Sequence, residues 1–389
     1  MIQKANRNIM IVAGEASGDQ RAAEVVNALK KNNPHLQFVG IGGNEMRAAG
    51  VETLIDIHEL AVMGFIEVIR HLPHLFNVMQ RTKKMLQTYQ PALLILVDYP
   101  GFNLRLAKTA KQLGIKVLFY ISPQVWAWRQ GRVKKIAKIV DHMAVIFPFE
   151  KKFYEKHAVP VTYVGHPLTE KIKTTLTQTA AREKLKLSEY NPLITLCPGS
   201  RYSELESLLP TMLLAARKVA QQFPNALFLI AQASTITKER ILQLLEDNLT
   251  TKNSTAQVHF KIVSDDSLNA MSASDLIVTA SGTATLEAAL LNKPMIVVYK
   301  VSLVTGFIIK RMLKIQHISL CNIVAGEKVV PELIQENFTE SQLVEEMLKI
   351  LTDTGLAQNT ITKLKIINQQ LGDLQAADSV AAIAERMLQ

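Results

Sequence analysis

Short runs of β-branched residues and leucine alternate along this chain with longer stretches in which apolar residues recur every three or four positions. Residues 8–13, 37–41, 93–97, 116–120 and 143–146 are mostly apolar at successive positions rather than alternating. That is the pattern of parallel strands buried on both faces. Helical spacing lies between them at 19–31, 102–113 and 132–139. The alternation then restarts. Strands are predicted at 193–197, 226–230, 258–262, 276–278 and 295–298, with helices around 203–222, 237–245 and 283–291. After Thr339 only helical spacing remains, ending in residues 376–388.

The pattern predicts an α/β protein of two doubly wound, Rossmann-like halves. An N-terminal domain is expected over 1–170 and a second over 190–339. Helices over 340–389 either return to the first domain or are exchanged in a dimer. The join is placed between Gly165-His166-Pro167 and Asn191-Pro192, a polar stretch without a strand. Two such halves create a cleft between the carboxyl ends of their sheets, where open α/β folds bind ligands.

Composition narrows the classes. At 389 residues and 48% hydrophobic content the chain can fill two cores. Its two cysteines, Cys197 and Cys321, form no CxxC pair, which argues against a disulfide framework or a thiolate zinc site. The apolar run at 9–13 is too short for a signal peptide, and no window reaches the ~18 apolar residues of a spanning helix. A soluble, cytoplasmic chain is expected. With 44 basic and 34 acidic residues the net charge is +10, which suits an anionic partner. No Lys/Arg block with interleaved aromatics marks that partner as nucleic acid. The nine histidines show no ligand spacing, and Ser264-Asp265-Asp266-Ser267 lacks the DxD spacing, so no metal or other cofactor is expected.

The candidate chemistry lies where strands end. Gly14-Glu15-Ala16-Ser17-Gly18-Asp19 joins the first strand to a helix whose amides and dipole suit an anion. Glu15, Ser17, Gly18 and Asp19 are therefore substrate-binding candidates, although Asp19 also serves as a helix cap. There is no GxGxxG fingerprint, so a dinucleotide fold is not indicated. Asp98 follows the apolar run 93–97 and precedes Tyr99-Pro100-Gly101-Phe102-Asn103. A half-buried carboxylate there is a candidate general base. Trp126 and Trp128, both in Pro123-Gln124-Val125-Trp126-Ala127-Trp128-Arg129, suit either sugar stacking or core packing.

In the second half, Pro198-Gly199-Ser200-Arg201 and Ser281-Gly282-Thr283 again join a strand to a helix. Ser200, Arg201, Ser281, Gly282 and Thr283 are placed for a diphosphate, and Glu287, one turn into its helix, for a ribose. Lastly, Phe65, Val68, Ile69, Leu72, Leu75, Phe76 and Met79 share one helical stripe, with Arg70, Arg81, Lys83 and Lys84 outside it. Phe65 to Phe76 on that stripe are candidate membrane contacts. A core-facing helix fits the same spacing, and Pro73 divides the segment.

Taken in order, Gly14 to Asp19, Glu59-Leu60-Ala61-Val62-Met63-Gly64, Ser122 to Arg129, Pro198 to Arg201, Ser281 to Glu287 and Ser319-Leu320-Cys321-Asn322-Ile323-Val324-Ala325-Gly326 resemble the lipid-A-disaccharide synthase family. The resemblance implies a metal-independent, inverting glycosyltransferase of the GT-B fold. It implies transfer from UDP-2,3-diacylglucosamine to 2,3-diacylglucosamine 1-phosphate through a β-1,6 linkage, with release of UDP. It also implies a homodimer, peripheral on the cytoplasmic face of an anionic inner membrane. Asp98 matches the family's catalytic aspartate, and Arg201, Glu287 and Asn322 match positions tied to UDP. Gly101 departs from the family, in which a second acid is common. Two other readings share parts of this pattern. Another UDP-N-acetylglucosamine enzyme of the GT-B fold needs no acyl chains. A non-catalytic nucleotide-sugar-binding protein at a membrane needs no Asp98.

Overall fold

A computed structural model describes residues 8–60, 72–127, 130–249, 258–301 and 317–389. Contacts divide the chain into two units. One comprises residues 1–167 and 373–389, the other residues 168–372.

Unit 1 is built on a seven-stranded parallel sheet. Its strands are β1 (Asn8–Ala13), β2 (Gln37–Gly42), β3 (Glu52–Asp56), β4 (Leu93–Val97), β5 (Lys116–Tyr120), β6 (His142–Val145) and β7 (Val161–Tyr163), in spatial order β3-β2-β1-β4-β5-β6-β7. The central strands are apolar beyond their first residues, and β4 throughout, because helices cover both faces. On one face Met10, Val12, Leu94 and Leu96 meet Val78 and Leu86 of the helix Leu72–Tyr89 and Phe102 and Leu106 of the helix Pro100–Gln112. On the other, Ile9, Ile11 and Ile95 meet Val25 and Val26 of the helix Ala16–Asn32 and Val380 and Ile383 of the helix Ala376–Leu388. The last helix of the chain is thus part of the core of unit 1.

Unit 2 repeats the design with six parallel strands: β8 (Leu193–Cys197), β9 (Leu227–Gln232), β10 (His259–Ser264), β11 (Leu276–Ala280), β12 (Met295–Tyr299) and β13 (Glu332–Ile334), in spatial order β10-β9-β8-β11-β12-β13. The helices Glu340–Thr352 and Thr354–Leu371 belong to this unit.

Three strands went unpredicted: β3, β7 and β13. All stand at sheet edges and are mostly half-buried, so they lack the solid apolar run that marks their neighbours. The excess charge is uneven. Unit 1 carries 23 Lys and Arg against 15 Asp and Glu, whereas unit 2 is near balance at 21 against 19. Each sheet reverses its strand order once, between β1 and β4 and between β8 and β11. Ligands bind at such reversals because the two flanking connections leave on opposite faces and open a crevice.

Candidate functional site

The crevice of unit 1 is formed by the turns after β1 and β4. Asp98 and Tyr99 both adopt left-handed backbone, with φ of 48° and 46°. Non-glycine residues held there store roughly 1–3 kcal/mol each and gather at functional sites. The conformation is pinned by Asn103, fully buried, whose Nδ2 donates to the carbonyls of Val97 at 3.2 Å and Asp98 at 2.7 Å. The Tyr99 ring lies against Gly14, just past the end of β1, and donates its hydroxyl to the Leu60 carbonyl at 2.9 Å. A β-carbon at Gly14 would overlap that ring, so the first glycine of the Gly14–Asp19 turn is dictated by Tyr99.

Tyr99 stands at the N-cap of the helix Pro100–Gln112. Asp98 is half-buried and its carboxyl pKa is pushed up to about 6, first by burial and then by the neighbouring Glu15 carboxylate, with the Tyr99 amide opposing. Ser17 donates its hydroxyl to Glu15 at 2.9 Å and holds that charge in place. A β-carbon at Gly101 would meet nothing within 4 Å. The second carboxylate beside Asp98 comes from the β1 turn instead.

Other expected residues of this unit are placed differently. Asp19 is buried, and its carboxylate accepts the amides of Gly43 at 2.6 Å, Glu45 at 3.0 Å and Met46 at 3.3 Å. It caps the short helix Asn44–Ala48 with those three bonds. Gly18 packs against Ala13 at the end of β1. Trp126 is core: it is buried, donates to Glu150 at 3.0 Å and stands edge-on to Phe149. Trp128, like Phe65, Val68 and Ile69 of the stripe, lies outside the described residues. The rest of the stripe divides. Leu72 opens the helix Leu72–Tyr89, Leu75 is half-buried, Met79 is core, and Phe76 is 65% exposed. Beside Phe76 runs a groove of about 1010 Å³, floored by Leu75, Met79, Tyr99 and Phe102 and rimmed by Lys83, Arg105 and Lys108.

In unit 2, the turn after β8 passes through Gly199 at φ 111°, where a β-carbon would overlap Glu204. The Glu204 carboxylate accepts the amides of Ser200 at 3.0 Å and Arg201 at 3.3 Å and the Arg201 guanidinium at 3.0 Å. The Arg201 side chain is otherwise open to solvent, 77% exposed. After β11, Gly282 and Thr283 are exposed where the helix Thr283–Leu290 begins, and Ser281 donates to the Ile318 carbonyl at 2.9 Å. Glu287 of that helix is half-buried, and burial raises its pKa against the opposing charge of Lys171. It lies near enough to Cys197, at the end of β8, to help burial push that thiol up. The structure therefore brings Glu287 to the β8–β11 reversal.

Asn322 is buried with all its side-chain bonds made inside the protein. It donates to the Val330 carbonyl at 3.0 Å and Glu332 at 2.9 Å, and accepts the amides of Val329 at 2.8 Å and Val330 at 3.0 Å. Its side chain fixes the loop before β13. Sequence reasoning passed over Glu204, Glu150 and Glu332. Glu204 had a legible signal, since it stands three residues after the N-cap Arg201 in capping-box spacing. The other two act through tertiary contacts and had none. Among the described residues no three His, Cys, Asp or Glu side chains gather as a metal site, and no helix is long and apolar enough to cross a membrane.

Both crevices can be set beside known proteins. At the level of fold, the chain is similar to the glycotransferase of kitacinnamycin, with TM-score 0.64 and 12% identity over 98% of this chain and 99% of that one. It is likewise similar to the UDP-GlcNAc 2-epimerase of Neisseria meningitidis, solved bound to UDP-GlcNAc, with TM-score 0.60 and 13% identity over 98% of this chain and 99% of that one. The two-unit architecture is that of GT-B glycosyltransferases. In sequence it is 42% identical over 388 residues to the lipid-A-disaccharide synthase of Geobacter sulfurreducens, covering 100% of this chain and 99% of that protein. The family model for lipid-A-disaccharide synthetase matches residues 9–385, which include both strand-order reversals and most of the returning C-terminal helix. With that match running almost end to end, the chain belongs to the lipid-A-disaccharide synthase family.

Proposed function

We propose that this member of the family transfers 2,3-diacylglucosamine from UDP-2,3-diacylglucosamine to 2,3-diacylglucosamine 1-phosphate, with inversion, forming a β-1,6-linked disaccharide and UDP. The observation that carries the reading is Asp98. It is a half-buried carboxylate with its pKa raised to about 6, held by strained backbone at the β1–β4 reversal. At neutral pH it is ionised yet basic enough to take a proton, as a general base requires.

The step then balances simply. The acceptor's 6-hydroxyl oxygen attacks the anomeric carbon on the face opposite the nucleotide, and Asp98 receives the hydroxyl proton. As the new C–O bond forms, the bond to the diphosphate breaks and its electron pair leaves on UDP. Charge growing on the diphosphate meets the Arg201 guanidinium and the amides of Ser200 and Arg201, donors of the kind that stabilise such transition states. Glu204 occupies those amides here and has to release them for the diphosphate. The exposed Gly282 and Thr283 turn leaves room for phosphate oxygens, and Glu287 accepts from ribose hydroxyls. The apolar groove with its Lys83, Arg105 and Lys108 rim suits an acylated, phosphorylated acceptor. The same reading makes the protein a homodimer, working at the cytoplasmic face of an anionic inner membrane, and the positive excess of unit 1 supports that side of it.

Mass spectrometry of a reaction containing both lipids tests the proposal. A product with the mass of the tetra-acylated disaccharide 1-phosphate, formed with stoichiometric UDP, is expected. An isomerised UDP-sugar with no new disaccharide would make the chain an epimerase, and binding without turnover would make it a carrier.

A further inference from the structure

One buried carboxylate of unit 1 has no part in the step above. Glu150 is 2% exposed and stands in the first turn of the helix Pro148–Glu155. Its two oxygens are divided between two loops. Oε2 accepts the Phe147 amide at 3.1 Å, closing the connection after β6. Oε1 accepts the Ser122 hydroxyl at 2.7 Å and the Trp126 indole N–H at 3.0 Å, both on the connection after β5. From the same helix Tyr154 donates its hydroxyl to the Pro123 carbonyl at 3.3 Å. The turn at 122–127 is thereby gripped from inside at three points.

Its outer face is correspondingly simple. Of the six residues from Ser122 to Ala127, Gln124 alone is exposed. The turn also starts next to the proposed base: Val97 pairs with Tyr120 across β4 and β5, and the Tyr120 carbonyl accepts the Asp98 amide at 2.9 Å. Ile121, at φ 64°, then redirects the chain. An exposed primary amide, which both donates and accepts, stands on the carboxyl edge of the sheet one strand away from Asp98.

An apolar plug would hold a loop at least as firmly as a carboxylate, because burying the charge carries a desolvation cost. Burial indeed pushes the Glu150 pKa up to about 7. What a carboxylate adds is direction, since it sets the Ser122 hydroxyl and the Trp126 indole in one arrangement. We propose that Glu150 is a positioning residue for glycosyl transfer, and that the turn it holds presents Gln124 to the acceptor sugar as a specificity contact. An amide side chain matches a sugar that carries hydroxyls and an amide-linked acyl chain. The inference rests on the glycosyltransferase reading above.

Kinetics with varied acceptor at saturating donor test it, alongside UDP calorimetry and thermal melts. Gln124→Ala should raise the acceptor KM roughly tenfold, about what one lost hydrogen bond amounts to. Its kcat, UDP affinity and melting temperature should match the wild type. Glu150→Gln should also raise the acceptor KM. Adding Gln124→Ala to it should do little more, because both changes remove the same contact. A purely structural Glu150 would instead give additive losses, and that outcome overturns its positioning role. A normal acceptor KM in Gln124→Ala overturns the specificity contact. Where Glu150→Gln fails to melt cooperatively, Ser122→Ala takes its place in the cycle, since it removes one donor and leaves the carboxylate. A wild type without turnover sinks the glycosyltransferase reading itself; an active wild type with an unaffected Gln124→Ala sinks only this inference.

Discussion

A carboxylate that accepts a proton near neutral pH needs surroundings that resist its charge without abolishing it. Asp98 has both, through partial burial and the nearby Glu15. Asp98→Asn keeps the shape and removes the basicity. We expect kcat to fall about 10²–10⁴-fold, the usual worth of a general base, with UDP affinity unchanged by calorimetry. The wild-type rate should drop on the acid side as pH falls through about 6, where Asp98 takes up its proton. Stability runs the other way. The folded pKa lies above the unfolded one, so Asp98's contribution to stability is fully present at low pH and is lost as pH rises through about 6. Melting temperatures should therefore show Asp98→Asn gaining on the wild type at pH 7.5 and not at pH 4. Equal shifts at both pH values would place Asp98 in an ordinary solvated setting.

At the scale of elements, one helix carries two jobs on neighbouring turns. In Leu72–Tyr89, Met79 belongs to the core and Phe76 to the surface, one turn apart. Periodicity marks both as apolar and cannot tell them apart. Met79→Ser should destabilise unit 1 by roughly 2–5 kcal/mol, as large-to-small core changes do. Phe76→Ser should leave the melting temperature within a degree or two, about what surface substitutions cause. If the groove beside it meets lipid, Phe76→Ser should also lower sedimentation with anionic vesicles. Unchanged sedimentation would remove Phe76 from any membrane contact. The same division explains Asp19 and Asn322. Each was legible as a polar residue in a telling motif, yet the side-chain oxygens of each accept backbone amides of another segment. Which amides would come within reach depends on packing, which spacing along the chain does not encode.

For the whole molecule, the helix Ala376–Leu388 matters most, because it lies in the segment 373–389 that belongs to unit 1 although it follows unit 2 in the chain. Val380, Ala381, Ile383 and Ala384 join the cluster built on Ile9, Ile11 and Ile95, and Lys116 donates to the Met387 carbonyl. Fully burying a Val or Ile side chain contributes about 1.5–3 kcal/mol. Truncation after Gly372 should thus cost unit 1 several times that and expose an apolar face. Calorimetry is expected to show the unit 1 transition lost or lowered by more than ~10 °C, while unit 2 still melts and still binds UDP. A truncated chain with both transitions intact would show that the helix is dispensable to the core.

The doubly wound class and ten of the thirteen strands among the described residues are legible in the sequence alone, because strands covered on both faces are mostly apolar. The sequence also marked the turns after β1, β4, β8 and β11, because a strand-to-helix connection needs small, polar or glycine residues wherever it is found. What those turns do was set by packing. It set Glu15 beside Asp98, ran the Tyr99 ring against Gly14, and gave Asp19 and Asn322 to backbone amides. It also settled Trp126 into the core on Glu150 and returned the last helix to the first unit. Local pattern reflects which faces a segment must hide, and that much is written along the chain. The charge a carboxylate feels, and the donors it meets, depend on residues distant in sequence that only folding brings within a few ångströms.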